Sequence, residues 1–486
     1  MDPTVAQVLG ALFIALDIAL RLLALVVVPY ERRPASAIAW LLIIMIQPIL
    51  GWILFGLLGN NRLSRGRREK MAAIQELIGE STLDIDDAPA PRDRPEWLGG
   101  ILQLNRSLSS MPHLGPAEAL VWGEFDAQLE AMARRIDEAE AFVHVEFYLL
   151  VASERTEVFF AALERATARG VTVRVLVDHL TSRRYPRRKQ TIARLEAMGA
   201  EWRDMLPLRP LRRQWQRPDL RNHRKLVVID GAVGFTGSLN LVDPSYLLRK
   251  NLRRGLQWRD TWLEFSGPPV RALDVLFWSD WWAETNELAE LAELATSATT
   301  PDGDLNASVV PSGPGFEGEI NLRIFVELVH AAQERITIVS PYFVPDETMR
   351  YAITSAAMRG VDVELFASEI GDQFWTYHAQ RSYYEELLRA GVRITLFAKP
   401  TVLHSKFMTF DDQVSVIGSS NIDMRSFGLN FEVSMLVEGH GMVAQLEGIA
   451  EAYRQQSTEL TLEAWMARHR VAQMFDSIAR LSSALQ

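Results

Sequence analysis

Two distant stretches of the chain set out the same polar residues at the same spacing. The first comprises His223, Lys225, Asp230, Gly237, Ser238 and Asn240, and the second His404, Lys406, Asp411, Gly418, Ser419 and Asn421. Both read H-x-K-x4-D-x6-G-S-x-N. The chain has only 6 Lys beside 45 Arg, so these clusters hold a third of its lysines. In an extended segment residues two apart share a face, so each His and Lys can reach one ligand. Imidazole serves as nucleophile or proton carrier, while ammonium and amide groups stabilise charge growing on oxygen. Two imidazoles suit double displacement at phosphorus. One attacks; the other protonates the leaving alkoxide and later deprotonates the incoming alcohol. Lys fits as a compact point charge. A lone His is more often a bonded core residue, and the duplication argues against that reading here. A zinc site would call for a helical H-x3-H or a carboxylate beside His, and neither is present. The expectation is therefore no metal and no cofactor. With no Cys in 486 residues, thiolate nucleophiles, thiolate zinc sites and disulfides are excluded.

Each cluster needs a rigid support, and the apolar runs 226–229 and 407–410 read as strands. A β, α, β order recurs, with Phe142 to Leu150 and Val171 to Val177 in one half, and Ile336 to Phe343 and Val361 to Ala367 in the other. Each intervening helix ends on the same Arg-Gly-Val, at Gly170 and Gly360, where Gly allows a left-handed cap. The expected fold class is α/β: an N-terminal transmembrane helical hairpin followed by two pseudo-symmetric α/β domains. The expected bounds are 1–61 for the hairpin, 62–96 for a basic then acidic and Pro-containing linker, 97–290 for the first domain and 305–486 for the second.

The hairpin expectation rests on two apolar runs, 5–28 and 35–58, each about long enough to cross ~30 Å of hydrocarbon. The second carries no charge. Asp17 and Arg21, four apart in the first, can pair on one helix face. No basic region or small-residue cleavage site marks a removable signal. Arg62, Arg65, Arg67, Arg68 and Lys70 follow the second run, which predicts a multi-pass membrane protein with its body on the cytoplasmic side. The total charge is −10, yet residues 183–254 hold 18 basic and 6 acidic residues. That stretch, with Tyr185, Trp202 and Trp215 interleaved, suits an anionic lipid surface, and Arg212, Arg213 and Arg217 are expected beside the site's mouth. The same composition would suit nucleic acid; the apolar runs tip the expectation to lipid and against nucleic acid.

The paired clusters resemble the HKD motifs of the phospholipase D superfamily, and the chain as a whole is similar to bacterial cardiolipin synthases of that superfamily. The resemblance also covers residues 36–59, 310–314 (VPSGP), 340–345 (SPYFVP) and 421–432 (NIDMRSFGLNFE). It implies two phospholipase D-like domains and a catalytic set of His223, Lys225, Asp230, His404, Lys406 and Asp411. It further implies that His223 is the nucleophile and His404 the general acid then base, although the repeat permits the reverse. Lys225, Lys406, Asn240 and Asn421 would hold phosphate, supported by Ser238 and Ser419, while the motif aspartates would be mainly structural. A carboxylate beyond each motif would orient its histidine: Glu432 for the second motif and Asp260 for the first. The implied reaction joins two phosphatidylglycerol molecules into cardiolipin with release of glycerol. Many such synthases carry G-G-x-N after the first motif, where this chain has Gly237, Ser238, Leu239 and Asn240, so another acceptor stays open. Also open are a hydrolase or nuclease of the same fold and a silent lipid-binding scaffold. A homodimer would be unsurprising.

Overall fold

The computed structural model describes residues 3–30, 32, 34–59, 63, 65–82, 85–209, 214, 217–287, 303–316 and 318–481. The chain divides into a small helical unit, residues 1–63 with Arg217–Asp219, and a large unit holding the rest.

In the helical unit, Pro3–Val27 forms one helix. Its Gln7–Val27 portion is long and apolar enough to cross a membrane. The second apolar run is not continuous. It is helical over Pro34–Ile46, breaks at Gln47 (φ −138°, ψ 87°) and resumes over Pro48–Leu54, ending in a π turn, Phe55–Gly59. This corrects the expectation of a single helix over 35–58. Pro48 has no N–H to donate and disfavours the helical conformation in the residue before it. The carbonyls freed there need partners in an apolar setting. Arg21 supplies one: its guanidinium bonds Asp17 at 2.7 Å and the Met45 carbonyl at 2.6 Å.

The large unit is built on one large sheet and two short two-stranded sheets, whose strands come from two halves of the chain. The first half contributes β1 (Leu114–Trp122), β2 (Phe142–Phe147), β3 (Thr172–Asp178), β4 (Glu201–Met205), β5 (Arg221–Asn222), β6 (Lys225–Ile229), β7 (Val233–Gly237), β8 (Gln257–Arg259) and β9 (Trp262–Ser266). The second contributes β10 (Leu305–Ser312), β11 (Arg335–Val339), β12 (Phe343–Val344), β13 (Asp362–Ser368), β14 (Arg393–Phe397), β15 (Thr401–Leu403), β16 (Phe407–Phe410), β17 (Val414–Gly418), β18 (Ile422–Asp423), β19 (Asn430–Glu438) and β20 (Ser457–Leu460). The order β4-β3-β2-β6-β7-β9-β1 repeats as β14-β13-β11-β16-β17-β19-β10, with β20 added antiparallel at the outer edge of β14 and with β1 and β10 antiparallel at the junction. In each half the parallel pair, β2 with β3 and β11 with β13, is the β-helix-β unit expected. Their helices, Glu157–Ala168 and Glu347–Met358, end at Gly170 (φ 91°) and Gly360 (φ 96°).

The stretch expected as a linker is organised over its described residues. Arg65–Thr82 is a helix that buries Met71, Ile74 and Ile78, spaced three and four apart on one face. Downstream, the Arg94 guanidinium clamps Glu438 with two bonds of 2.7 Å, and the Ala88 N–H donates to the His113 carbonyl. Periodic apolar residues behind a basic start account for the difference.

Candidate active site

Lys225 opens β6 and Lys406 immediately precedes β16, and each histidine sits two residues before its lysine. The backbone of each histidine is fixed by the opposite half. β5 pairs in parallel with β19, and the His223 N–H donates to the Phe431 carbonyl at 2.8 Å. β15 pairs in parallel with β8, and the His404 N–H donates to the Arg259 carbonyl at 2.7 Å. Each half therefore extends a short strand onto the other beside its histidine.

The same exchange governs the side chains. His223 Nδ1 lies 2.9 Å from Glu432 Oε2, and His404 Nδ1 lies 2.6 Å from Asp260 Oδ1. Asp260 and Glu432 do meet the histidines, but in the opposite pairing from the one expected. The segments that reach across, β8 and the start of β19, lead directly to these carboxylates, so each is delivered to the partner half's motif. A carboxylate only accepts, so each neutral imidazole carries its proton on Nδ1 and keeps the Nε2 lone pair for chemistry.

Both histidines are almost fully buried. Burial pushes His223 down to about 4, with Lys225 adding to the effect and Glu432 opposing it. His404 is lowered by burial and then by Lys406, against Asp260. Burial would raise the two carboxyls, but their histidine and lysine neighbours and a serine hydroxyl hold both below the ordinary range. The resting arrangement is thus neutral imidazole beside ionised carboxylate. Lys225 is lowered by burial to about 7 and Lys406 to about 8. Each ammonium donates at 2.6 Å to the carbonyl of its own histidine, which fixes both cations on the imidazole side.

The remaining expected residues divide. Ser238 and Ser419 donate to Asp260 at 2.7 Å and Glu432 at 2.5 Å, so they support the carboxylates where phosphate contact was expected. Asn240 Nδ2 donates to the Tyr246 hydroxyl at 2.7 Å; the Oδ1 atoms of Asn240 and Asn421 have no partner among the described residues. Asp230 and Asp411 lie at the far ends of β6 and β16, about 16 Å of strand from the histidine end. Their carboxylates accept from backbone N–H groups of Glu140, Ala141 and Phe142, and of Gln333, Glu334 and Arg335. Counting them in the catalytic set is corrected: they staple each strand to the preceding turn. Both adopt positive φ, 52° and 53°. Of the basic residues expected at the mouth, Arg212 and Arg213 lie outside the described residues, as does Trp215, and Arg217 pairs with Asp219.

The tyrosines were missed. Tyr148 follows β2 and meets His223 edge-on at 4.8 Å between ring centroids; Tyr342 follows β11 and stands 6.4 Å from His404. Tyr246 lies 6.5 Å from His404. The signal in the sequence was a tyrosine just beyond the first strand of each β-helix-β unit, offset by one position between the halves. Among the described residues, no group of three or more His, Asp and Glu is arranged as metal ligands are.

This duplicated site has counterparts. Residues 132–281 and 325–454 match the family described as cardiolipin synthase, PLD-like domain. The chain belongs to this family. Residues 19–60 also match the phospholipase D-nuclease N-terminal family. The chain is 32% identical to a cardiolipin synthase of Geobacillus kaustophilus (strain HTA426), over 99% of this chain and 94% of the relative. It is 31% identical to cardiolipin synthase A of Proteus mirabilis (strain HI4320), over 90% of each. Among solved structures, phosphatidylserine synthase of Haemophilus influenzae Rd KW20 shares the fold, with a TM-score of 0.58 at 14% identity over 79% of this chain and 100% of that one. Membership of the cardiolipin synthase family makes the chain an enzyme of the phospholipase D superfamily, and the apolar N-terminal helix points to membrane association.

Proposed function

We propose that the chain is a membrane phosphatidyltransferase that makes cardiolipin from two phosphatidylglycerol molecules and releases glycerol. The observation that carries this reading is the crossed pair of neutral, carboxylate-oriented imidazoles, each beside a buried lysine. His223 Nε2 attacks phosphorus of the first lipid, and a P–N bond forms as the P–O bond to glycerol breaks. His404 gives its proton to the leaving glycerol oxygen; the incoming phosphodiester's charge, added to Asp260, favours the imidazolium this step needs. In the second half-reaction His404 takes a proton from a hydroxyl of the second phosphatidylglycerol, whose oxygen displaces His223 from phosphorus. Lys225 and Lys406 meet the charge on the non-bridging oxygens throughout.

The names of the full-length relatives support cardiolipin as product. The hairpin reading places two passes in the membrane, and the basic residues after the second apolar run put the body on the cytoplasmic side. Purified protein incubated with headgroup-labelled phosphatidylglycerol decides the chemistry. Cardiolipin with an equal amount of glycerol is the expected outcome; phosphatidic acid in its place would make the chain a hydrolase, and no turnover would make it a scaffold.

A further inference from the structure

The C-terminal helix Arg470–Arg480 is amphipathic the wrong way round for a water-facing surface. Its polar Asp476 is buried, bonded to His378 at 2.7 Å and Arg468 at 2.6 Å, and Ala479 is fully buried beside it. Its apolar stripe faces outward, with Val471 48%, Met474 52%, Phe475 43% and Ile478 44% exposed. A surface helix in water shows the reverse arrangement, and contiguous exposed apolar residues mark an interaction site. The stripe continues onto the helix Phe374–Arg381, where Phe374 and Trp375 are more than half exposed. The rings of Phe374, His378 and Phe475 form a row, at 4.4 and 6.4 Å, that joins the two helices into one patch.

This patch starts at the rim of the reaction centre. Gln373, immediately before Phe374, donates to the Tyr342 hydroxyl at 3.2 Å, and the Tyr342 ring faces His404. From the other half, Arg254 donates to the Gly371 carbonyl at 2.8 Å. That contact brings in the helix Arg249–Arg254, whose Lys250, Leu252 and Arg253 are exposed, and Arg470 is exposed at the start of the C-terminal helix.

We propose that this apolar and cationic rim is a membrane-docking surface that sits in the headgroup layer of an anionic bilayer and presents the site's mouth to lipid. The argument is one of charge and reach. Apolar and aromatic side chains flanked by cations match a phosphate layer over hydrocarbon. Buried histidines can receive a headgroup phosphate only if the mouth meets the bilayer that keeps the acyl chains. The placement beside the mouth rests on the lipid-substrate reading; the docking itself does not.

Because the chain has no cysteine, single probes are simple to place. The full-length protein carrying Met474→Cys, Ile478→Cys or Ser477→Cys is labelled with a polarity-sensitive fluorophore and reconstituted into phosphatidylglycerol and phosphatidylethanolamine vesicles with nitroxide-bearing acyl chains. Labels at 474 and 478 are expected to shift to the blue and be quenched about threefold or more over the label at 477, on the neighbouring face. Equal, water-like emission at all three positions would overturn the proposal. So would labels protected from quencher while Met474→Cys cross-links to a second copy. This readout needs no turnover, so it stands apart from the activity assay. As a second measurement, Met474→Glu with Ile478→Glu is expected to lower turnover on phosphatidylglycerol vesicles about tenfold while leaving turnover on dihexanoyl phosphatidylglycerol within about twofold. An equal loss on both substrates would count against docking.

Discussion

Behind His223, Arg224 points into the protein, where it is fully buried against Asp280 and donates to the Glu432 carbonyl. Glu146 lies beside this pair, its carboxyl pushed well above the ordinary range by burial and then by the Asp280 charge. Behind His404 the same position is Ser405, whose hydroxyl meets the Tyr453 hydroxyl at 2.7 Å. The two halves thus match on the face where phosphate would be held and diverge on the face behind it. Histidine, lysine, serine and carboxylate keep one geometry in both halves, as the proposed shared phosphate site would require. The backing needs only to neutralise itself, and it has done so once with an ion pair and once with two hydroxyls.

The comparison can be broken at several points. The largest expected effect is on the histidines: His223→Ala and His404→Ala should each remove turnover, by a factor on the order of 10³ or more, in the labelled-lipid assay. Appreciable activity in either would mean that the halves do not form one site. The carboxylates come next. Glu432→Gln and Asp260→Asn should each cost on the order of 10²- to 10⁴-fold, as loss of an imidazole-orienting carboxylate does elsewhere. Each should also resemble the histidine variant of the opposite half, so Glu432→Gln slows the attack that His223 makes and Asp260→Asn the proton transfers of His404.

The backing face should separate the halves by stability. Arg224→Met leaves Asp280 buried without its partner and should cost about 3–5 kcal/mol. Ser405→Ala removes one hydroxyl contact and should cost about 1 kcal/mol. Thermal melts of the two variants in one detergent check the order, and equal melting shifts would remove the asymmetry.

The smallest effect is a difference in protons. In the empty site at pH 8, Lys225 at about 7 is mostly neutral and Lys406 at about 8 is half so. A bound phosphodiester analogue recharges them and favours the His404 imidazolium, so binding should take up at least about one proton, read from titrations in buffers of different ionisation enthalpy. Lys225→Met should remove more of that uptake than Lys406→Met. The histidines act on stability with the opposite pH sense from an ion-paired histidine. Their folded values lie below the unfolded one near 6.5, so the unfolded chain takes up protons first and stability falls as pH drops below about 6.5, a fall that for His223 continues to about 4.

The candidate reacting groups were legible because they are written in short spacings: His and Lys two apart, and Ser and Asn two apart, in both repeats. The β-helix-β units were legible for the same reason, from local apolar patterns and the Gly170 and Gly360 caps. Who orients whom was not, because Glu432 reaches His223 across 209 residues through the pairing of β5 with β19, a register that local pattern does not encode. Pro48 did announce the break in the second apolar run, but the absence of charge there outweighed it. In Arg65–Thr82 the opposite happened: basic residues masked the spacing of Met71, Ile74 and Ile78.

The central claim is that His223 is the nucleophile and is held for attack by the other half's Glu432. It is tested most directly by trapping the intermediate from phosphatidyl-p-nitrophenol, whose leaving group needs no proton from His404. After acid-free quenching and peptide mapping, the phosphatidyl label should sit on His223 in the wild type, persist there in Asp260→Asn and be lost in Glu432→Gln. Label on His404, or the two variants behaving the other way round, would contradict it.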